Sequence, residues 1–270
     1  MSLKKHNKKR FEYIETRLLW GEGLTARELG EAFGISRQIA QKVITKYREK
    51  YPDQMIYEKK QKRHMATEIF KPMHVTNNPL KFLNFLRGET LIGYYREERI
   101  WSDFEVNDVT RLLHPELDHS AIQILLGALH RKQTVSIEYR KKDWESDGWT
   151  SRIISPHNLV YADNRYHVRG FCHLKNKFLD FVLSRIKFAE DVHEDWFPPD
   201  DDREWNKSVK LEFKPNTALP QGIQDTILQN YKIIESGVRI INCRKALAFY
   251  VERDLFKIDA KYGCPLWLKF

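Results

Sequence analysis

Two short helical patterns separated by a single glycine, Gly34, constrain the fold of this chain more than any other feature of its sequence. Thr25 and Glu28 have the spacing of a capping box, in which each residue's side chain accepts a hydrogen bond from the other's backbone amide. The helix that they open ends at Gly34, because glycine adopts the left-handed conformation that terminates helices. Ser36 is then suited to cap a second helix over residues 36–50. Two short helices joined by a tight glycine turn are typical of a helix-turn-helix.

The second of these helices has one apolar face and one polar face. Its apolar residues recur three and four apart and are predicted to pack on the preceding helices: Ile39, Ala40, Val43, Ile44 and Tyr47. Arg and Gln side chains can read base edges, and Lys and Thr side chains can hold phosphates. The polar face is therefore predicted to enter the major groove of DNA. With the two cap residues, the predicted contacts on the helices are Thr25, Ser36, Arg37, Gln38, Gln41, Lys42, Thr45 and Lys46.

Positive charge is concentrated in the same part of the chain. The first 75 residues hold 17 Lys/Arg and 9 Asp/Glu, whereas the rest hold 29 and 28. Such an asymmetry favours a polyanionic partner. After Pro52, residues 55–57 and 65–70 are predicted to pair as a hairpin, which after a helix-turn-helix is a wing. Its tip is predicted to contact DNA through Lys59, Lys60, Lys62, Arg63 and His64. The alternative, a three-helix packing or protein-interaction module, leaves these clustered cations unexplained.

Other classes of protein fit the sequence poorly. Three scattered cysteines without a C-x-x-C argue against a disulfide framework and favour the reducing cytoplasm. No apolar run approaches the ~18 residues that a membrane helix needs, and the basic start lacks an apolar h-region. We find no nucleotide-binding glycine motif, no zinc-protease motif and no nucleophile elbow. We therefore expect no enzyme, no cofactor and no metal site.

The remainder of the chain predicts three further regions. The expected fold is multi-domain α+β: a winged helix-turn-helix over residues 1–75, a helical linker over 76–130, a small SH3-like β-barrel over 131–195, and a C-terminal α+β extension over 203–270. Short alternating strands with turn signals indicate the barrel. Two prolines and an acidic run mark the boundary before the extension, where the pattern is strand, helix, strand, helix.

Four segments of the third region resemble bacterial transcriptional regulators that carry a WYL domain. They are the segments 137–139 (IEY), 156–159 (PHNL), 165–171 (RYHVRGF) and 181–186 (FVLSRI), and Tyr166 matches the central tyrosine of the family's name-giving strand. The domain order resembles most closely the WYL regulators found beside phage-defence islands, the BrxR and CapW group. The resemblance implies a homodimer, formed through the C-terminal extension, that represses a defence operon and is released by a signal.

Arginines beside aromatic rings suit a nucleotide or single-stranded nucleic acid as that signal. The family motif implies Tyr139, Tyr166, Arg169 and Arg185 as ligand contacts, with His157 after Pro156. Ser155 and His167 complete the predicted ligand set on local grounds.

The sequence therefore predicts a sequence-specific DNA-binding regulator, a homodimeric repressor of a phage-defence operon that binds an inverted-repeat operator on double-stranded DNA. A nucleotide or nucleic-acid-derived ligand at the WYL domain is predicted to release it, and no membrane is involved. The alternative is an effector that binds RNA or another single-stranded nucleic acid, with the barrel as its main site.

Overall fold

The computed structural model describes residues 3–21, 23–87, 113–140 and 148–270. The chain divides into two compact units, one of Met1–Val160 with Arg165–Trp196, and one of Tyr161–Asn164 with Phe197–Phe270. Part of the predicted linker, residues 88–112, lies outside the described residues. The helices and strands are α1 (Leu3–Trp20), α2 (Ala26–Phe33), α3 (Arg37–Lys50), β1 (Met55–Glu58), β2 (Arg63–Ala66), α4 (Pro79–Leu86), α5 (His119–Arg131), β3 (Val135–Arg140), β4 (Trp149–Ala162), β5 (Arg165–Cys172), β6 (Lys177–Val182), β7 (Ile186–Asp191), α6 (Arg203–Asn206), β8 (Ser208–Pro215), α7 (Gln221–Asn230), β9 (Arg239–Arg244), α8 (Lys245–Leu255) and β10 (Trp267–Lys269).

The predicted helix-turn-helix is confirmed at the level of its caps. The Glu28 amide donates to the Thr25 hydroxyl at 3.2 Å, and the Thr25 amide donates to the Glu28 carboxylate at 2.7 Å. Gly34 follows α2 with φ 59° and ψ 37°, and the Ser36 hydroxyl accepts from the Ile39 amide at the start of α3. The turn geometry therefore follows from residues that the sequence places only a few positions apart.

One apolar core holds α1, α2, α3 and β1 together. Its fully buried side chains include Ile14 of α1, Leu29 of α2 and Ile44 of α3. Phe11 meets Tyr47 edge to face with 5.2 Å between ring centroids. The prediction that Ile39 packs in this core is wrong, because 46% of that side chain is exposed. Ile39 lies in the first turn of α3, next to the exposed residues Arg37 and Gln38.

The wing is a two-stranded antiparallel hairpin of β1 and β2, in which Met55 pairs with Ala66 and Glu58 with Arg63. A third segment joins it, because the backbones of Leu24 and His64 exchange two hydrogen bonds of 2.9 Å. The return strand was predicted to begin at Met65 but starts two residues earlier. This extra pairing with Leu24, 40 positions away, draws the start of the strand toward α2.

The third region is built on a five-stranded sheet in the order β6-β5-β4-β3-β7. α5 packs against β3 and β7, and its Ile122 and Leu125 side chains are fully buried. Among the described residues, β6 and β7 are edge strands that do not pair with each other, so the sheet is open. The expected closed SH3-like barrel is not confirmed, because the strand order leaves β6 and β7 as two separate edges.

The second unit contains the predicted strand-helix-strand-helix order, with a further strand at its end. Its three-stranded antiparallel sheet has the order β10-β8-β9, with Val209 paired with Cys243 and Trp267 paired with Pro215. Phe213 is fully buried in its core, against which side chains of α7 and α8 pack. The sequence pattern did not predict β10, because only three residues, Trp267–Lys269, form it.

Two glycines of the winged helix differ in what surrounds them, although both have positive φ values, 70° at Gly23 and 59° at Gly34. A Cβ at Gly23 would overlap the carbonyl oxygen of His64, whereas a Cβ at Gly34 would meet no atom within 4 Å. We expect Gly34→Ala to lower the free energy of unfolding by only about 1–2 kcal/mol, the cost of a left-handed alanine. Gly23→Ala should cost more, and urea unfolding of both variants measures the difference. Equal losses would show that the Leu24–His64 pairing is dispensable.

Candidate nucleic-acid interface and ligand site

The two faces of α3 are sharply divided between core and solvent. The side chains of Ala40, Val43, Ile44 and Tyr47 are buried. The polar side chains predicted to contact DNA are all exposed: Arg37, Gln38, Gln41, Lys42, Thr45 and Lys46. A helix anchored along one side and polar along the other can enter a groove about 12 Å wide without disturbing its own packing.

The two cap residues already have partners within the winged helix. The Thr25 hydroxyl takes part in the capping box, and the Ser36 hydroxyl accepts from Ile39 at 3.3 Å. Ser36 is exposed beside Arg37 at the start of the polar face, whereas Thr25 is half-buried. The capping box therefore accounts for Thr25 without a DNA contact.

The turn of the wing presents three exposed cations, Lys59, Lys60 and Lys62. Lys62 has a φ of 54°, and the Lys60 amide donates to the Glu58 carboxylate at 2.9 Å. No residue of the described chain forms a salt bridge with these three ammonium groups. Their charge is therefore available to a phosphate backbone.

The prediction that Arg63 and His64 lie at the cationic tip is wrong. Both belong to β2, and the Arg63 guanidinium donates to the Glu28 carboxylate at 2.9 Å. His64 is 6% exposed. Burial, and secondly the cation of Arg48, lowers the pKa of His64 below its usual range, so the imidazole is neutral near pH 7. These two side chains join the wing to the helices instead of extending from its tip.

Glu28 is the point at which α2, the cap and the wing meet. Its carboxylate accepts from the Thr25 amide and from Arg63, and it lies 3.7 Å from Arg17 of α1. Burial raises the pKa of Glu28, but the Thr25 amide and the nearby arginines outweigh it and hold that pKa below its ordinary value. A negative charge is thus retained in the first turn of α2, where the helix dipole also favours it.

In the WYL-like region, several predicted ligand residues are committed to internal partners. Arg169 is 4% exposed, and its guanidinium donates to Asp180 on the neighbouring strand at 3.1 Å. The Tyr166 hydroxyl donates to the Asn84 side chain of α4 at 2.6 Å. The Tyr139 hydroxyl accepts from the Val182 amide at 3.4 Å. Each of these side chains therefore forms a hydrogen bond to another segment of the protein.

Three further residues of the predicted ligand set are also buried: Ser155, His157 and His167. The Ser155 hydroxyl lies 3.0 Å from His173 Nε2, and His157 Nδ1 lies 2.7 Å from the Asn158 side chain. Burial lowers the pKa of His173, so the imidazole beside Ser155 is neutral near pH 7. Ser155 and His157 therefore already have side-chain partners within the sheet region.

In the described part of the WYL-like region, Arg152 and Arg185 keep unused hydrogen-bonding capacity. Arg185, half-exposed after β6, forms no ion pair within the described ranges. Arg152 is 5% exposed and donates to the Thr150 hydroxyl, but its Nη1 atom lacks an acceptor among the described residues. The sequence marks Arg152 as one of several cations of this region, but it does not show that this arginine is buried without a carboxylate partner among the described residues. Within those same ranges, no group of three His, Cys, Asp or Glu side chains could hold a metal ion.

Known protein families and curated relatives match most of the chain. Three family models match: the BrxR transcriptional regulator winged helix-turn-helix domain over residues 6–88, the WYL domain over 120–190, and the BrxR transcriptional regulator C-terminal dimerization domain over 208–260. Curated relatives include the DNA-binding transcriptional repressor CapW of Pseudomonas aeruginosa, 29% identical over 256 residues, which cover 93% of this chain and 82% of that protein. CapW of Escherichia coli (strain KTE188) is 28% identical with the same coverage. CapW of Stenotrophomonas maltophilia is 26% identical over 92% of this chain and 82% of that protein.

One solved structure is also similar, the proteasome accessory factor B/C (PafBC) of Arthrobacter aurescens. The match covers 98% of this chain and 46% of that one, at 14% identity and a TM-score of 0.24. This chain thus spans less than half of that structure.

Replacement of Arg169 by alanine should destabilise the protein more than replacement of Arg185 does. Removing one partner of a buried ion pair leaves an uncompensated charge, so we expect Arg169→Ala to lower the free energy of unfolding by about 3–5 kcal/mol. Arg185→Ala, which breaks no ion pair in the described structure, should cost under about 1 kcal/mol. Urea unfolding of the two variants is the measurement, and similar midpoints would mean that the Arg169–Asp180 contact does not stabilise the fold.

Proposed function

We propose that this chain, a WYL-domain transcriptional regulator resembling the BrxR and CapW group, is a sequence-specific DNA-binding repressor that acts as a homodimer. The polar face of α3 carries the proposal: six exposed side chains suited to bases and phosphates lie opposite the buried side chains of Ala40, Val43, Ile44 and Tyr47. The relatives support it, since each of these CapW proteins is a DNA-binding transcriptional repressor. A repressor that binds the chromosome acts in the cytoplasm and performs no catalysis.

In the proposed complex, α3 enters the major groove of one half-site. Arg37, Gln38 and Gln41 contact base edges, whereas Lys42 and Lys46 hold phosphates. Lys59, Lys60 and Lys62 add phosphate contacts from the wing. The residues 208–260, which match a dimerization domain, would pair two copies. A two-fold dimer binds an inverted repeat whose half-sites lie one helical turn, or a multiple of it, apart.

The proposed regulation is release by a nucleotide or nucleic-acid-derived ligand at the WYL domain. Among the described residues, Arg152 and Arg185 have guanidinium groups with capacity for an anion, whereas Arg169 is occupied by Asp180. The ligand must bind the DNA-free form more tightly than the DNA-bound form, since only differential affinity shifts such an equilibrium. The proposed target is a phage-defence operon, on the strength of the resemblance to the BrxR and CapW group.

DNase footprinting of the purified chain on the DNA upstream of its own gene tests the proposed function. The expected result is protection of a short inverted repeat, which is relieved by a candidate nucleotide or short single-stranded DNA. Protection that neither ligand relieves would support the proposed repressor and contradict the proposed ligand. Absence of any protected repeat would contradict sequence-specific repression.

An effector that binds single-stranded nucleic acid is the second candidate. One observation favours it: Trp149 and Phe188 are 36% and 48% exposed, and the Arg140 guanidinium and the Lys187 ammonium lie 5.8 and 4.4 Å from the Trp149 ring centroid. Exposed aromatic rings among cations can stack bases. Competition between an inverted-repeat duplex and single-stranded RNA separates the candidates, because an effector of this kind would prefer the single strand.

Arg37 should contribute to sequence discrimination. If its guanidinium binds one guanine through two hydrogen bonds, Arg37→Ala should weaken binding to the inverted repeat by about 1–3 kcal/mol and relax preference at that base pair. Lys175→Ala, an exposed lysine outside the winged helix, removes the same charge and is the matched control. Equal affinity of Arg37→Ala and wild type for every variant repeat would exclude the base contact.

Lys60 should contribute affinity without discrimination. Its ammonium is exposed and unpaired at the wing turn, so we expect Lys60→Ala to weaken binding to all duplexes alike. The slope of log K against log salt concentration should become shallower by about 0.9 per protein subunit for one lost phosphate contact. Titrations at several salt concentrations measure it, and an unchanged slope would remove Lys60 from the interface.

A further inference from the structure

A buried carboxylate joins the recognition helix α3 to the segment that leaves the wing. Glu15 of α1 is fully buried, and its Oε1 atom accepts from the Tyr47 hydroxyl of α3 at 3.1 Å. Its Oε2 atom accepts from the backbone amides of His74 and Val75 at 2.6 and 3.2 Å. Burial raises the pKa of Glu15, while these three donors act against that shift. The position of α3 is thus tied through one side chain to residues 73–76, which we name the strap.

The strap contacts α3 a second time. The Tyr51 hydroxyl, at the C-cap of α3, lies 3.1 Å from His74 Nε2. The same imidazole packs against Phe11 and Tyr51, with ring centroids 5.7 and 5.8 Å away. Val75 is fully buried. A displacement of the strap would therefore disturb the inner face of the helix whose outer face is proposed to read DNA.

At its other end, the strap leads directly into α4, which contacts the sheet of the WYL domain. Asn78 caps α4, and Asn84 of the same helix accepts a 2.6 Å hydrogen bond from the Tyr166 hydroxyl of β5. The Arg87 guanidinium, at the C-cap of α4, lies 5.9 Å from the centroid of the Tyr166 ring. Tyr166 is 7% exposed and Asn84 is half-buried, so the bond between β5 and α4 lies in a partly buried contact.

A parallel set of contacts holds α1 to the same helices. The Trp20 ring stacks on Phe82 of α4, with 4.9 Å between centroids and 5° between planes, and His119 of α5 packs against it. The Gln123 side chain of α5 donates to the Leu19 carbonyl at 2.8 Å. Glu15 also belongs to α1. A movement of α4 relative to α1 would therefore act on the hydrogen bonds of Glu15 both through α1 and through the strap.

We propose that Tyr166 is a positioning residue that couples the WYL domain to the recognition helix, through its hydrogen bond to Asn84, the strap and Glu15. The proposal rests on the proposed DNA-binding function of α3. It assigns to Tyr166 a role in transmission, whereas the family motif implied a ligand contact. A ligand that alters the orientation of Tyr166 would change operator affinity, and operator binding would change ligand affinity by the same factor.

The first test compares Tyr166→Phe with Tyr139→Phe in the full chain. Both variants lose one hydroxyl on the WYL sheet, but the Tyr139 hydroxyl accepts from Val182 within that sheet, whereas the Tyr166 hydroxyl reaches α4. Hydrogen exchange with mass spectrometry should show faster exchange in the strap, α4 and α3 for Tyr166→Phe alone. The affinity for the inverted repeat, relative to a scrambled duplex, should change roughly twofold to thirtyfold in the same variant. Indistinguishable exchange in the winged helix for the two variants would overturn the proposal.

A double-mutant cycle with Asn84→Ala tests whether the effect passes through the bond between Tyr166 and Asn84. If the bond between Tyr166 and Asn84 transmits the signal, either single variant should change the ratio of repeat to scrambled affinity as much as the double variant does. Additive changes would overturn the coupling, whatever each variant costs in stability. If wild type prefers no duplex, the proposed function fails, while the exchange comparison still tests whether Tyr166 reaches the recognition helix.

Discussion

Burial of one face of α3 is the constraint on which the rest of the structure depends. Ala40, Val43, Ile44 and Tyr47 enter a core with α1 and α2, so the intervening polar residues must face solvent. The capping box, the left-handed Gly34 and the bond between Arg63 and Glu28 fix where α3 begins and how the wing lies beside α2. Together these contacts place cationic and amide side chains on one exposed surface, where they can bind duplex DNA.

The features that short sequence separations determine could be predicted. The caps at Thr25 and Ser36, the end of α2 at Gly34 and the division of α3 into two faces all depend on residues within a few positions of one another. The strands and helices of the C-terminal domain follow from periodicity in the same way, apart from the three-residue β10. The domain models matched over residues 6–88, 120–190 and 208–260 confirm the resemblance that the WYL-like segments indicated.

The features that depend on pairing between distant segments could not be predicted. His64 is buried because it pairs with Leu24, and Arg169 is neutralised because register places Asp180 opposite it on β6. Tyr166 reaches Asn84, 82 positions earlier, and Glu15 reaches Val75, 60 positions later. The open sheet has the same origin, since no local pattern shows that β7 pairs with β3 and leaves β6 at the opposite edge. Residue type alone therefore could not show that several of the predicted ligand groups already have partners within the fold.

Methylation protection tests most directly whether α3 lies in the major groove. Dimethyl sulfate modifies guanine N7, an atom that faces that groove. If α3 of each subunit of a dimer enters the major groove, the bound protein should protect guanines in two half-sites related by two-fold symmetry. The centres of these half-sites should lie one helical turn or a multiple of it apart. Unprotected major-groove guanines in a fragment that the protein nevertheless binds would contradict the account, because binding would then use another surface.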